Sequence, residues 1–210
     1  GDGIALWAAD QKSITIDLGG NTYTVTGNLV GSPSYEYQGF HFEKGNKVTI
    51  KNGTLTSTAP NVKMLIQNYS DLTLTSVKVD GTNLTGTGRY VVSNNCGDVV
   101  LNGATSIFAK DGDKALDSCK YGSYDVPNVT IDTTVAITGP IELTGGKLAV
   151  KNGDIDKIIT DDGYTAGDAV VTGGTSAEPI AKEFLEKGYH SAVTESGRYK
   201  VEAHIEETVP

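Results

Sequence analysis

Apolar and polar positions alternate in short phrases that recur along most of the chain. They read Ile14-Thr15-Ile16, Val48-Thr49-Ile50-Lys51-Asn52-Gly53, Leu72-Thr73-Leu74, Val99-Val100-Leu101-Asn102-Gly103, Val129-Thr130-Ile131, Leu148-Ala149-Val150-Lys151-Asn152-Gly153 and Ala169-Val170-Val171. Between Ile16, Ile50, Leu74, Leu101, Ile131, Val150 and Val171 the steps are 34, 24, 27, 30, 19 and 21 residues, an elastic but continuous repeat. Alternation with period two marks a strand with one buried face, and Asn-Gly supplies the positive φ of a tight turn. A second apolar strand precedes most phrases: Gly39-Phe40-His41-Phe42, Met64-Leu65-Ile66, Tyr90-Val91-Val92, Ala115-Leu116 and Ile141-Glu142-Leu143. Short strands in units of this length, with insertions confined to particular corners, predict an all-β chain folded as a parallel β-helix. Seven coils at the usual strand spacing would stack to about 34 Å. A sandwich or barrel predicts hairpins every 8 to 12 residues and no such phrase.

The repeat ends near residue 176. Beyond it, Glu178 to Tyr189 shows helical periodicity, with Pro179 near the start, Gly188 past the end, and Ile180, Ala181, Phe184 and Leu185 on one face. His190 to Thr194 and Arg198 to Val201 then flank Glu195-Ser196-Gly197, the pattern of a hairpin. Solenoid ends expose strand edges and an apolar cross-section, so residues 1–176 are read as the β-helix and 177–210 as its cap of helix plus hairpin.

Composition agrees with this reading: 26 Gly and a single Met and Trp favour strands and turns over helices. Its net charge of -9 argues against nucleic acid and anionic membrane surfaces as partners, since both attract clustered Lys and Arg. No apolar run is long enough for membrane insertion as a helix.

The phrases from Ile14 to Val25, Lys47 to Leu55 and Met64 to Leu72, with the ending Gly173-Gly174-Thr175-Ser176 to Gly188-Tyr189, resemble pectate-lyase-like right-handed parallel β-helix proteins. The nearest likeness is to the short versions carried on secreted and surface proteins of gut bacteria and some of their phages. The resemblance implies an extracellular or cell-surface product in a sugar-related niche, in a fold that hosts lyases, hydrolases, adhesins and inert stalks.

Polyuronate lyases of this fold use calcium held by acidic side chains together with an Arg or Lys base. Arg89 is the only arginine beside a body strand, and with Lys114 and Asp117 it forms the candidate catalytic group. Asp111-Gly112-Asp113 offers hard oxygen ligands for Ca2+, although Asp and Gly equally compose any solvent turn. The hydrolases of the fold carry paired carboxylates with Gly-His-Gly and Arg-Ile-Lys motifs, of which only Asp161-Asp162 has a counterpart here. His41, between Phe40 and Phe42, is expected to point away from the core as a satisfied or exposed side chain.

Tyrosines give the stronger pattern. Tyr35 and Tyr37 lie in the insertion from Gly27 to Gln38, Tyr121 and Tyr124 in the insertion from Lys120 to Pro127, and Tyr69 and Tyr90 flank neighbouring strands. Tyrosine faces stack on sugar rings and the hydroxyl adds a hydrogen bond, so these six are the candidate glycan-binding set, set against the alternative that each packs on its own loop. Cys96 and Cys119 follow aligned strands and are read either as small buried side chains or as a disulfide in an oxidising compartment. Thr-x-Thr phrases suggest an ice-binding array only until it fails at Leu101 and Leu148. The outward positions hold no convergent acid and base, so the function read from the sequence is a non-catalytic exported module for adhesion, glycan contact or display. The alternative is a polysaccharide lyase or glycoside hydrolase acting on acidic polysaccharide.

Overall fold

A computed structural model describes residues 1–204. The chain is all-β, and its body strands pair in parallel within two sheets of seven and twelve strands. Successive passes alternate between the sheets. Ile4–Leu6, Gln38–Phe42, Met64–Asn68, Tyr90–Asn94, Lys114–Cys119, Ile141–Thr144 and Ile158–Thr160 line up in that order in the smaller sheet. Between them the chain passes through the larger sheet as Ser13–Asp17, Lys47–Ser57, Asp71–Asp80, Asp98–Gly103, Asn128–Thr138, Lys147–Ile155 and Ala169–Val171, with short strands completing it.

The recurring apolar residues pair with one another in order. Ile16, Ile50, Leu74, Leu101, Ile131, Val150 and Val171 form one continuous in-register column. In the smaller sheet Phe40, Ile66, Val92, Leu116, Ile141 and Ile158 do the same. Both columns contribute to one core, within which Ile50, Leu74, Ile66 and Leu116 are fully buried. Parallel pairing explains the tolerance of unequal repeat lengths: the core-facing register positions of these two columns need apolar residues, whereas the connections between the sheets lie outside the ladder.

Asn52-Gly53 and Asn152-Gly153 are bends within long strands, where the sequence suggests tight turns, whereas Asn102-Gly103 ends its strand and turns as expected, the Thr105 amide donating to the Asn102 carbonyl at 3.2 Å. Asn52, at φ 57°, interrupts the ladder between Lys51↔Thr75 and Gly53↔Val77, and Ser76 opposite it has φ 53°. A left-handed residue on each of two adjacent strands turns both at the same height and leaves pairing intact on either side.

The C-terminal helix is not formed. Only Lys182–Phe184 makes a 3-10 turn, and Ala181 and Leu185 on either side are extended. Ile180 and Phe184 are buried as their spacing suggests, but Ala181 is exposed and Leu185 bridges Val171 in parallel. Pairing with the last body strand satisfies an exposed edge, which one helical turn with two buried anchors does not outweigh. The hairpin forms between Tyr189–Val193 and Tyr199–Ala203, and Tyr199 and Lys200 add antiparallel to Thr175–Ser176. Residues 205–210 of the cap segment lie outside the described residues.

Candidate functional site

The outer face of the smaller sheet is polar where its inner face is apolar. His41, Gln67, Ser93, Asp117 and Glu142 occupy the same register position on five consecutive strands. A second outward column runs Gln38, Met64, Tyr90 and Lys114. Strand alternation places the first column on the face opposite the Phe40 to Ile158 column. The second lies two residues before that inner column, and it reaches the outer side because alternation breaks between them, where Leu65 and Ile66, Val91 and Val92, and Ala115 and Leu116 are buried in adjacent pairs.

Two insertions and the segment after Leu6 rise around this floor and enclose a groove of about 1060 Å³. Tyr35, Tyr69, Tyr90, Tyr121 and Tyr124 line it, with Gln67, Ser93, Asn95 and Asp117 below. Tyr121 and Tyr124 stack at 6.2 Å and 28°, and Tyr69 packs against Tyr124 at 5.5 Å. Tyr37 meets Tyr35 edge-on at 5.3 Å, with the Lys63 ammonium 4.4 Å from the Tyr37 ring centre and 5.0 Å from that of Tyr35. Tyr121 is 58% exposed, Tyr35 43% and Tyr124 42%, so these rings present open faces to the groove. Five of the six tyrosines singled out from the sequence thus line a single site, and the sixth buttresses it.

The floor is tied together by hydrogen bonds. Tyr69 receives a bond from Gln67 Nε2 at 3.1 Å, and burial pushes its phenol up to about 12. His41 lies on the outer face as expected but is fully covered, tilted against Trp7 at 5.3 Å and Tyr69 at 5.9 Å. Its ring nitrogens meet Gln67 Oε1 at 3.2 Å and Glu43 Oε1 at 3.4 Å. Asp117 accepts from the Asn94 amide at 2.7 Å and from Ser93 Oγ at 3.2 Å. Burial dominates over these bonds and, helped by nearby Glu142, raises its carboxyl to about 7. Beside it, Glu142 is held by Lys114 Nζ at 2.7 Å and by the Tyr90 hydroxyl at 2.7 Å. Burial and the bond to Glu142 take Tyr90 up to about 12. Burial opposes the Lys114 ammonium, but its bonds to Glu142 and Tyr90 outweigh that and raise its pKa.

The catalytic group drawn from the sequence does not converge. Arg89 Nε donates to Asp113 Oδ1 at 2.6 Å and its Nη1 to the Leu84 carbonyl at 3.1 Å, which makes it a strut between turns. Lys114 and Asp117 instead flank Glu142. Of the calcium candidates, Asp113 is buried against Arg89 and Asp111 is exposed in the turn. Among the described residues no three His, Cys, Asp or Glu side chains gather as a metal site. Cys96 and Cys119 are free thiols. Ser118 pairs with Asn94, which sets Cys119 level with Asn95, one residue short of Cys96. Burial raises the Cys119 thiol to about 11, disfavouring the reactive thiolate.

Sequence reasoning missed Gln67, Ser93, Asn95 and Glu142. The signal was present in the aligned short strands: one residue past Ile66, Val92, Leu116 and Ile141 stand Gln67, Ser93, Asp117 and Glu142, and Asn95 lies three past Val92. No protein-family description, curated protein or solved structure matches the chain.

Proposed function

We propose that this chain is an exported or surface-displayed right-handed parallel β-helix module that holds a glycan in its tyrosine-lined groove. The observation that carries the reading is the convergence of Tyr35, Tyr69, Tyr90, Tyr121 and Tyr124 over a floor of amide, hydroxyl and carboxyl groups. A pyranose has an apolar C–H face and a rim of hydroxyls, and aromatic walls above hydrogen-bonding side chains complement both. The alternating passage between the two sheets supports a β-helix, and display on a cell surface follows from the resemblance of the repeat phrases.

Affinity electrophoresis against a polysaccharide panel, followed by calorimetry on the best binder, tests the groove. Exposed aromatic contacts contribute about 0.5–1.5 kcal/mol each, so Tyr121→Ala with Tyr124→Ala is expected to weaken binding about 5- to 150-fold. Both rings stand outside the core, so the thermal midpoint should stay near that of the parent. Unchanged affinity, or silence across the panel, would sink the assignment.

A second reading, glycoside hydrolysis, is favoured by one observation: Asp117, with its carboxyl raised to about 7, neighbours a Glu142 carboxylate paired to Lys114. Hydrolysis at two carboxyl groups requires one protonated and one ionised. New reducing ends from the panel, lost in Asp117→Asn, would establish that activity; binding without turnover leaves the groove a binding site.

A further inference from the structure

From the charges around the groove we infer that it selects an uncharged glycan and rejects uronate and sulfate chains. This rests on the glycan reading above and goes beyond it by fixing the ligand class, against the acidic polysaccharide that the family resemblance implies.

Recognition of a carboxylate or sulfate needs an unpaired cation aimed at the site. Among the described residues the groove lining holds one cation, Lys44, and it is paired, as are the cations of the floor and of the strand edge beside Tyr90. Lys114 is bonded to Glu142 at 2.7 Å, Arg89, next to Tyr90 in the chain, to Asp113 at 2.6 Å, and Lys44 on the lining to Asp125. Lys63 faces the rings of Tyr35 and Tyr37, where cation–π attraction holds it at the rim. The lining carboxyl groups are Glu43 and Asp117, and their remaining lone pairs accept hydrogen bonds. Sugar hydroxyls donate to such groups, whereas above about pH 7, where Asp117 ionises, a ligand carboxylate cannot and meets like charge in a partly desolvated site. The net charge of -9 adds an unfavourable long-range field for any polyanion.

The test uses matched polymers that differ in charge: methyl-esterified against de-esterified polygalacturonan, hydroxyethylcellulose against carboxymethylcellulose, and dextran against dextran sulfate, by affinity electrophoresis at low ionic strength. Wherever a pair is bound, the neutral member is expected to bind at least about tenfold more tightly, equivalent to about 1.4 kcal/mol. Added salt should narrow that gap by screening. At pH 8, Glu43→Gln with Asp117→Asn should narrow the gap between the neutral and the charged member of each bound pair. An acidic member bound as tightly as its neutral counterpart overturns the inference, as does a gap that both variants leave untouched. Binding of no polymer in the set, or of any only through surfaces insensitive to Tyr121→Ala with Tyr124→Ala, refutes the groove reading itself.

Discussion

Asp117→Asn is expected to leave stability at pH 4 nearly unchanged and to raise it at pH 8 by up to about 4 kcal/mol. The parent Asp117 carboxyl sits at about 7 in the folded chain against 3.8 when free. A folded-state pKa raised above the unfolded one means that the folded chain retains a proton which the unfolded chain has released throughout that interval. Stability contributed by the protonated form is therefore complete below about 3.8 and is lost as pH climbs to about 7, at close to 1.4 kcal/mol per pH unit. Asparagine copies the neutral form: its oxygen accepts from the Asn94 amide as Oδ1 does, and the Ser93 hydroxyl, which donates to Oδ2 in the parent, turns to accept from the new NH2. Urea unfolding of both proteins at pH 4, 6 and 8 isolates the effect of Asp117 and its coupling to Glu142 and Lys114, because titrating groups that do not interact with it cancel in the difference. Parallel stability profiles, or a variant weaker at pH 8, would refute the assignment. A buried carboxyl whose ionisation weakens the fold near neutrality is the kind of group a site retains at the expense of stability.

The parts of the molecule legible from the sequence are those governed by strand periodicity. Ile16 to Val171 could be aligned because this column faces the core and is filled by apolar residues throughout, and the structure pairs those same residues in order. The tyrosines were legible because an aromatic residue in an exposed insertion has little reason to be there unless it covers something. What failed needed non-local information. The helix over Glu178 to Tyr189 looked sound by periodicity and punctuation, but a free strand edge at Val171 draws Leu185 into a bridge. Arg89 seemed catalytic for want of another arginine, and nothing local revealed that Asp113, one pass later, takes it up. Glu142 was visible as a polar residue between two apolar ones, yet its place beside Asp117 depends on register between passes, which unequal insertions conceal.

Asn68→Leu is expected to destabilise the fold by about 3 kcal/mol, although it places an apolar side chain of similar size in a site with no exposure. Asn68 follows Phe42 and precedes Asn94 and Ser118 in an inner column of the smaller sheet. Its Nδ2 donates to the Ser70 carbonyl at 2.7 Å and to Asn94 Oδ1 at 2.9 Å, and its Oδ1 accepts from the Ser70 amide at 3.2 Å and hydroxyl at 2.7 Å. Leucine gains at most about 2 kcal/mol by burial. Against that, the Ser70 amide, the Ser70 carbonyl and Asn94 Oδ1 lose partners where water does not reach, at about 1–3 kcal/mol apiece and less than additively. The column is where the strand bends away from the sheet, so the amide does the work of backbone pairing that the ladder no longer supplies. Chemical denaturation of Asn68→Leu, Asn94→Leu and the double variant checks this. The double variant should cost about 1 kcal/mol less than the two singles together, because the bond between the two side chains is lost only once. Asn68→Leu at or above parental stability would mean that hydrophobicity, and not this polar column, sets the packing at the bend.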